Sequence, residues 1–168
     1  MPGRHTAPDR PPLPVGWRRQ AARLPIALFR CGLGRLFGGR LLLLHHTGRV
    51  TGLQRRVVLE VVEYDPVAGS WTVASGFGPQ AAWYRNLRAD PKTLVNVGNR
   101  GYAVTARFLT PGEGAEIMAR YAHRRPRTAH RLCAFMGFTP DGTDTGYREI
   151  GRATPFVRLE AAPGYHPR

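Results

Sequence analysis

The chain has 168 residues, a length that suits one domain with one sizeable core. Apolar residues make up 42%, too many for a disordered protein, and they fall in runs too short to span a membrane. Against 11 Asp plus Glu stand 25 Lys plus Arg, and the resulting formal charge of +14 favours nucleic acid, anionic lipid or a polyanionic small molecule without choosing among them.

Two cysteines, Cys31 and Cys133, stand far apart without a CxxC partner. That argues against a disulfide framework or a zinc site and for buried free thiols in a reducing cytoplasm. Residues 1–14 are rich in Pro and Arg and lack the apolar core of a secretory signal, so they are expected to form a disordered basic arm. The chain is read as cytoplasmic. A single domain is expected over residues 15–160, with a tail at 161–168.

That domain opens with a helical stretch from Val15 to Phe37 in two pieces, Pro25 sitting in the first turn of the second. Ile26, Phe29, Leu33 and Leu36 recur at helical spacing, and Arg18, Arg19, Arg23 and Arg30 make the stretch basic. Such a helix packs its apolar face on its own domain or lies on an anionic bilayer at the inner face of the membrane. Gly38-Gly39 ends it, and Leu41 to His46 reads as a buried strand. Arg56 to Tyr64 is a second strand, Asp65 to Gly69 a hairpin turn, and Ser70 to Ser75 a third strand with Trp71 and Val73 alternating against Thr72 and Ala74. Gly76 to Gln80 is too glycine-rich for regular structure. Ala81 to Ala89 reads as a short helix stopped by Asp90-Pro91. Lys92 to Val97 and Tyr102 to Leu109 are strands around the Gly98-Asn99-Arg100-Gly101 turn.

Thr110-Pro111-Gly112-Glu113 starts a helix that runs to about His123 and buries Ile117 and Tyr121. Pro126 opens another, carrying Leu132, Phe135 and Met136 and ending near Gly137. Asp141 to Arg148 reads as a polar segment, and Thr154 to Glu160 as the last strand. Six strands joined mostly by hairpins, with helices outside the sheet, give a mainly β fold with peripheral helices: a small antiparallel barrel.

The stretch Thr47-Gly48-Arg49-Val50-Thr51-Gly52-Leu53-Gln54-Arg55-Arg56 stands out. Two glycines let the main chain curl with its N–H groups pointing inward, and the arginines supply paired hydrogen bonds for a phosphate or carboxylate. Taken alone, the same pattern also describes an ordinary basic hairpin turn. His45 and His46 are adjacent on a strand, point to opposite faces and do not chelate a metal together, so they are read as structural.

Leu42-Leu43-Leu44, then Thr47-Gly48-Arg49-x-Thr51-Gly52-x-x-Arg55, then Ala74-Ser75, then Ala82-Trp83-Tyr84-x-Asn86-Leu87-x-Ala89-x-Pro91 resembles the deazaflavin-dependent nitroreductase family. The resemblance spans roughly Leu24 to Leu159. It implies a split β-barrel of the flavin and deazaflavin oxidoreductase group, and it implies the deazaflavin coenzyme F420, with flavin mononucleotide (FMN) as the alternative. By position, Arg49, Thr51, Gly52 and Arg55 match the phosphate-binding turn. Ala74, Ser75 and Gly76 match the strand end beside the deazaflavin ring, and Trp83, Tyr84 and Asn86 the helix closing over it. Two departures stand out: Val50 replaces a customary Lys or Arg, and the loop from Ser75 to Trp83 is short and lacks a lysine.

The implied reaction is hydride transfer from reduced F420 to an electron-poor acceptor, a quinone or a nitroaromatic compound. Ser75 is the candidate to hydrogen-bond cofactor or acceptor, and Tyr147 the candidate substrate-side hydroxyl. A non-catalytic F420 or FMN carrier and a membrane-surface-associated basic barrel are the rival readings. No nucleic-acid partner is expected, since no basic strand interleaved with aromatics appears. Analogy to the family suggests a homodimer.

Overall fold

Antiparallel pairing closes six strands into a barrel in the order β1-β2-β3-β6-β5-β4 in the computed structural model, which describes residues 31–164. The strands are β1 (Leu41–Thr47), β2 (Gln54–Asp65), β3 (Ser70–Ala74), β4 (Lys92–Val97), β5 (Arg100–Phe108) and β6 (Phe156–Ala161). The expected disordered arm, the first two thirds of the expected N-terminal helix and residues 165–168 lie outside the described residues. The described remainder of that helix is a 3-10 turn, Leu33–Phe37, entered through Gly32 at a positive φ of 75°. There Leu33 and Leu36 are exposed, so their helical spacing does not bury them. Cys31 is exposed too, contrary to the expected burial, whereas Cys133 is buried.

Alternation along each strand decides what fills the barrel. Leu42 and Leu44 of β1 face Leu59 and Val57 of β2 and Val97 and Val95 of β4, and this column joins Trp71, Val73, Val157 and Leu159 in one buried cluster. His46 is next in the Leu42–Leu44 column and therefore marks one end of the barrel. The short helix α1 (Ala82–Ala89) stops that end, inserting Trp83, Tyr84 and Leu87 into the same cluster. A bulge between Val61 and Glu63 breaks the alternation of β2. It frees Val62 to join a second apolar cluster outside the barrel, and Glu63 reaches Arg120, Arg124 and Arg158.

Three helices form that outer layer: α2 (Pro111–Arg124), α3 (Pro126–Phe135) and α4 (Asp144–Ala153). The capping box expected at Thr110 and Glu113 is formed in both directions. Helix α4 corrects the reading of Asp141 to Arg148 as a polar segment. Thr143 caps it by accepting from the Gly146 N–H, and Tyr147 and Ile150 anchor it beside Ile117, Tyr121 and Cys133. Two glycines let α2 and α4 touch: a Cβ on Gly114 would lie 2.6 Å from the Gly151 carbonyl oxygen. The expected irregular loop at Gly76–Gln80 contains a single 3-10 turn, Gly78–Gln80. The helical layer leaves β5 and returns to β6, two neighbouring antiparallel strands, and the Leu109 N–H donates to the Phe156 carbonyl at its base (3.0 Å).

Candidate cofactor site

The turn between β1 and β2 is shaped mostly by its own main chain. The Gly48 N–H donates to the Leu53 carbonyl at 2.8 Å, the Gly52 N–H to the Gly48 carbonyl at 2.7 Å, and the Leu53 N–H to Thr51 Oγ1 at 3.4 Å. Gly52 has a positive φ of 68°, and a Cβ on Gly48 would come 2.6 Å from Thr51 Oγ1. Gly52 is therefore required by its backbone conformation, and a side chain at Gly48 would force the Thr51 hydroxyl to move. The Arg49 N–H leaves the turn altogether and donates to Asn86 Oδ1 at 3.1 Å. What remains is the N–H pair of Val50 and Thr51, which have no protein partner among the described residues. Consecutive free N–H groups at the tip of a turn form an anion-binding concavity.

Asn86 is the link between this turn and α1. Its Oδ1 also accepts from Arg49 Nη1 (3.1 Å), and its Nδ2 donates to His46 Nδ1 (2.8 Å). With two donors facing Oδ1 the amide has only one sensible orientation, so His46 Nδ1 accepts and the ring proton sits on Nε2. His46 is buried, and burial pushes its pKa down to about 4, the nearby Arg55 guanidinium and then His45 adding to the effect. The ring is neutral at neutral pH. His46 and Arg55 face each other across the β1–β2 ladder, so an Nε2–H and a guanidinium share one end of the barrel. The sequence reading took His46 as structural; its place in the apolar column of β1 was the signal that it lies at the barrel end.

Other expected site residues lie in the same neighbourhood. Trp83 and Tyr84 are buried, packed edge to face on one another (5.8 Å), and Tyr84 meets Phe108 in the same way (5.2 Å). They anchor α1 in the barrel mouth. Ser75 is buried and its hydroxyl donates to the Gly78 carbonyl at 2.6 Å, which fixes the loop that follows and leaves only its lone pairs for a ligand. Ala74 pairs with Phe156 at the end of β3, and Gly76 lies against the Phe135 ring, 3.1 Å from where a Cβ would stand. Phe77 and Phe135 pack edge to face at 5.7 Å, and Phe135 is 55% exposed. This aromatic pair beside Gly76 was not anticipated, because Phe135 closes its helix and no spacing rule marks it. Tyr147 belongs to the helical cluster instead, with Cys133 and Asp141 for neighbours, and opens onto a different cavity.

The motifs expected to share a ligand are thus physically joined: turn to α1 through Asn86. A family model described as F420H(2)-dependent quinone reductase matches residues 20–132, a span that includes the turn, the Ser75 loop and α1. The chain belongs to this family. An F420H(2)-dependent quinone reductase of Mycobacterium tuberculosis is 35% identical over 99 residues, covering 55% of this chain and 65% of the relative. The corresponding putative quinone reductase of Mycobacterium bovis gives the same figures. The chain thus aligns with a little under two thirds of the curated relatives' length. Among solved structures, the Vibrio cholerae heme storage protein HutZ aligns with a TM-score of 0.51 at 12% identity, over 85% of this chain and 92% of its own. An Agrobacterium tumefaciens protein of unknown function gives 0.53 at 17% identity, over 90% and 58%. At such identities these two speak for the split-barrel fold alone. Family membership agrees with the basic, glycine-shaped turn: the members' cofactor is a reduced deazaflavin.

Proposed function

We propose that the protein binds coenzyme F420 at the β1–β2 turn and transfers hydride from its reduced form to a quinone. The observation that carries this reading is Asn86, which ties the arginine turn to the helix of the Trp-Tyr-x-Asn-Leu motif through two residues of β1 and its turn, His46 and Arg49. The donor set suits a phosphodiester: the Val50 and Thr51 N–H groups, the Thr51 hydroxyl, the Arg55 guanidinium and the His46 Nε2–H. All are donors, and no carboxylate is ion-paired to Arg49 or Arg55 among the described residues. Gly48 and Gly52 keep the cradle open, and Arg49 serves by holding the turn to Asn86.

When bound, the deazaflavin supplies the hydride. The chain's own part is to bind and orient. The turn fixes the anionic tail, and Ala74, Ser75 and Gly76 form the floor at the end of β3. Trp83 and Tyr84 hold α1 in place, while Phe77 and Phe135 offer an apolar wall that excludes water and suits a flat acceptor. Ser75 serves as an acceptor rather than a donor, since its proton is directed at Gly78. Among the described residues no helix is long and apolar enough to cross a membrane. A bilayer-dissolved quinone would be met by peripheral contact, which flotation with anionic liposomes tests.

Mixing the protein with reduced F420 and menadione should restore the absorbance of oxidised F420 at a rate proportional to enzyme. Turnover with reduced FMN and none with reduced F420 would overturn the reading. Tight F420 binding without turnover of any quinone would leave a carrier.

A further inference from the structure

A cavity of about 690 Å³ lies among α2, α3, the Gly142 loop and the first turn of α4. That is room for an organic ligand of ordinary size. Arg127, His130 and Arg131 line it from one face of α3, at the i, i+3 and i+4 spacing that stacks side chains together, and His123 joins them from the end of α2. Elsewhere on the surface Arg107, Arg120, Arg148 and Arg158 are ion-paired, but neither Arg127 nor Arg131 has a carboxylate within reach among the described residues. The one acid lining the cavity, Asp144, is taken by Arg148 Nε at 2.6 Å. The arginine side of the cavity is therefore uncompensated, while Asp141, beside Tyr147, is held by the Thr143 N–H and hydroxyl.

Tyr147 adds a second, independent sign. The residue is 7% exposed, its hydroxyl has no hydrogen-bond partner among the described residues, and the cavity is where it opens. Burial raises its pKa, so the hydroxyl stays protonated and is a donor. That hydroxyl still reaches solvent through the cavity, where a ligand oxygen would accept its hydrogen bond. Ala119, Ala122 and Pro126 supply the apolar part of the lining. None of the walls comes from the Gly48–Arg55 turn, α1 or the Ser75 loop.

We propose that this cavity is a second ligand site, taking a small organic acid: a carboxylate on a flat apolar body, its oxygens held by Arg127, Arg131 and the Tyr147 hydroxyl. The site goes beyond the cofactor reading and does not depend on it. Naphthoate is the probe and the neutral naphthalenemethanol its control, titrated into the full chain by calorimetry while the His123 and His130 ring protons are followed by NMR. Naphthoate should saturate and shift both rings, and the alcohol should bind about tenfold more weakly or not at all. The double substitution Arg127→Gln with Arg131→Gln, at two exposed positions, should lower naphthoate affinity about tenfold, and Tyr147→Phe about threefold. Saturating F420 should leave naphthoate affinity unchanged. Equal affinity for acid and alcohol, full affinity in the double variant, or displacement of naphthoate by F420 would each overturn the proposal. Should Tyr147→Phe fail to fold, the arginine pair and the neutral control decide it, and none of these readouts requires enzyme turnover.

Discussion

The turn at the barrel mouth and the helical layer on its flank use polar groups in opposite ways. At the turn, local hydrogen bonds of Gly48, Gly52 and Leu53 set the curl, and Asn86, 37 residues away from Arg49, anchors it. Two N–H groups are left over, aimed by all the others. In the helical layer, shape comes from local caps at Thr110 and Thr143 and from glycine contact between α2 and α4. Several of its arginines are paired at the surface, and Arg127 and Arg131 open to a cavity. A site defined by one distant amide is easily disarmed without unfolding; a layer defined by close packing loses stability first.

Asn86→Leu should test that contrast hardest. It strands His46 Nδ1 and the Arg49 N–H together, at a cost of about 3 kcal/mol, and should reduce F420 affinity more than tenfold even under conditions where the protein stays folded. Gly114→Ala should do the reverse, lowering stability by about 2 kcal/mol in urea melts while F420 affinity holds in the folded protein. A drop in affinity as large as that of Asn86→Leu would erase the distinction. Next comes pH. His46 titrates at about 4 in the fold and near 6.5 when unfolded, so the unfolded chain binds the proton first as pH falls. Its contribution is complete above pH 6.5 and lost on descent toward 4, about 2 kcal/mol of it between pH 7 and 5. His46→Gln should flatten that part of the stability profile. Arg55→Ala, at an exposed position, should weaken F420 binding about tenfold and change folding by less than about 0.5 kcal/mol. Unchanged affinity would remove the turn from the site. The smallest effect is expected of Val50→Arg: Val50 is 85% exposed, and a charge there should tighten F420 binding about twofold, an advantage that high salt abolishes.

The strands and their turns were legible from local pattern, although Thr72, expected opposite Trp71 and Val73, is buried as well. Leu42 and Leu44, Trp71 and Val73, and the Thr110 capping box all behave as local pattern predicts. Helix α4 was not legible, because Asp144 to Ala153 has only Tyr147 and Ile150 as large apolar residues and two glycines that weaken a helix. Its stability comes from contact with α2, which no local pattern announces. The turn and α1 were recognisable as motifs, but the bonds between them depend on how β1 delivers His46 to the barrel end. Trp83 and Tyr84 illustrate the same limit: a motif marks them, and only packing reveals that they plug the barrel. Phe135, at the last position of its helix, acquires meaning only beside Gly76.

The route of the chain from β5 to β6 has one more implication. These strands are hydrogen-bonded neighbours, and the Leu109 N–H meets the Phe156 carbonyl where the helical layer departs and returns. Topologically the three helices are an overgrown hairpin loop, tethered at two adjacent points. The Gly48–Arg55 turn belongs to other strands, and the helices reach the mouth through Phe135 beside Phe77 and Gly76. Replacing them would alter the flank, its cavity and the Phe135 side of the mouth, and would take from β2 the partners of Glu60, Val62 and Glu63.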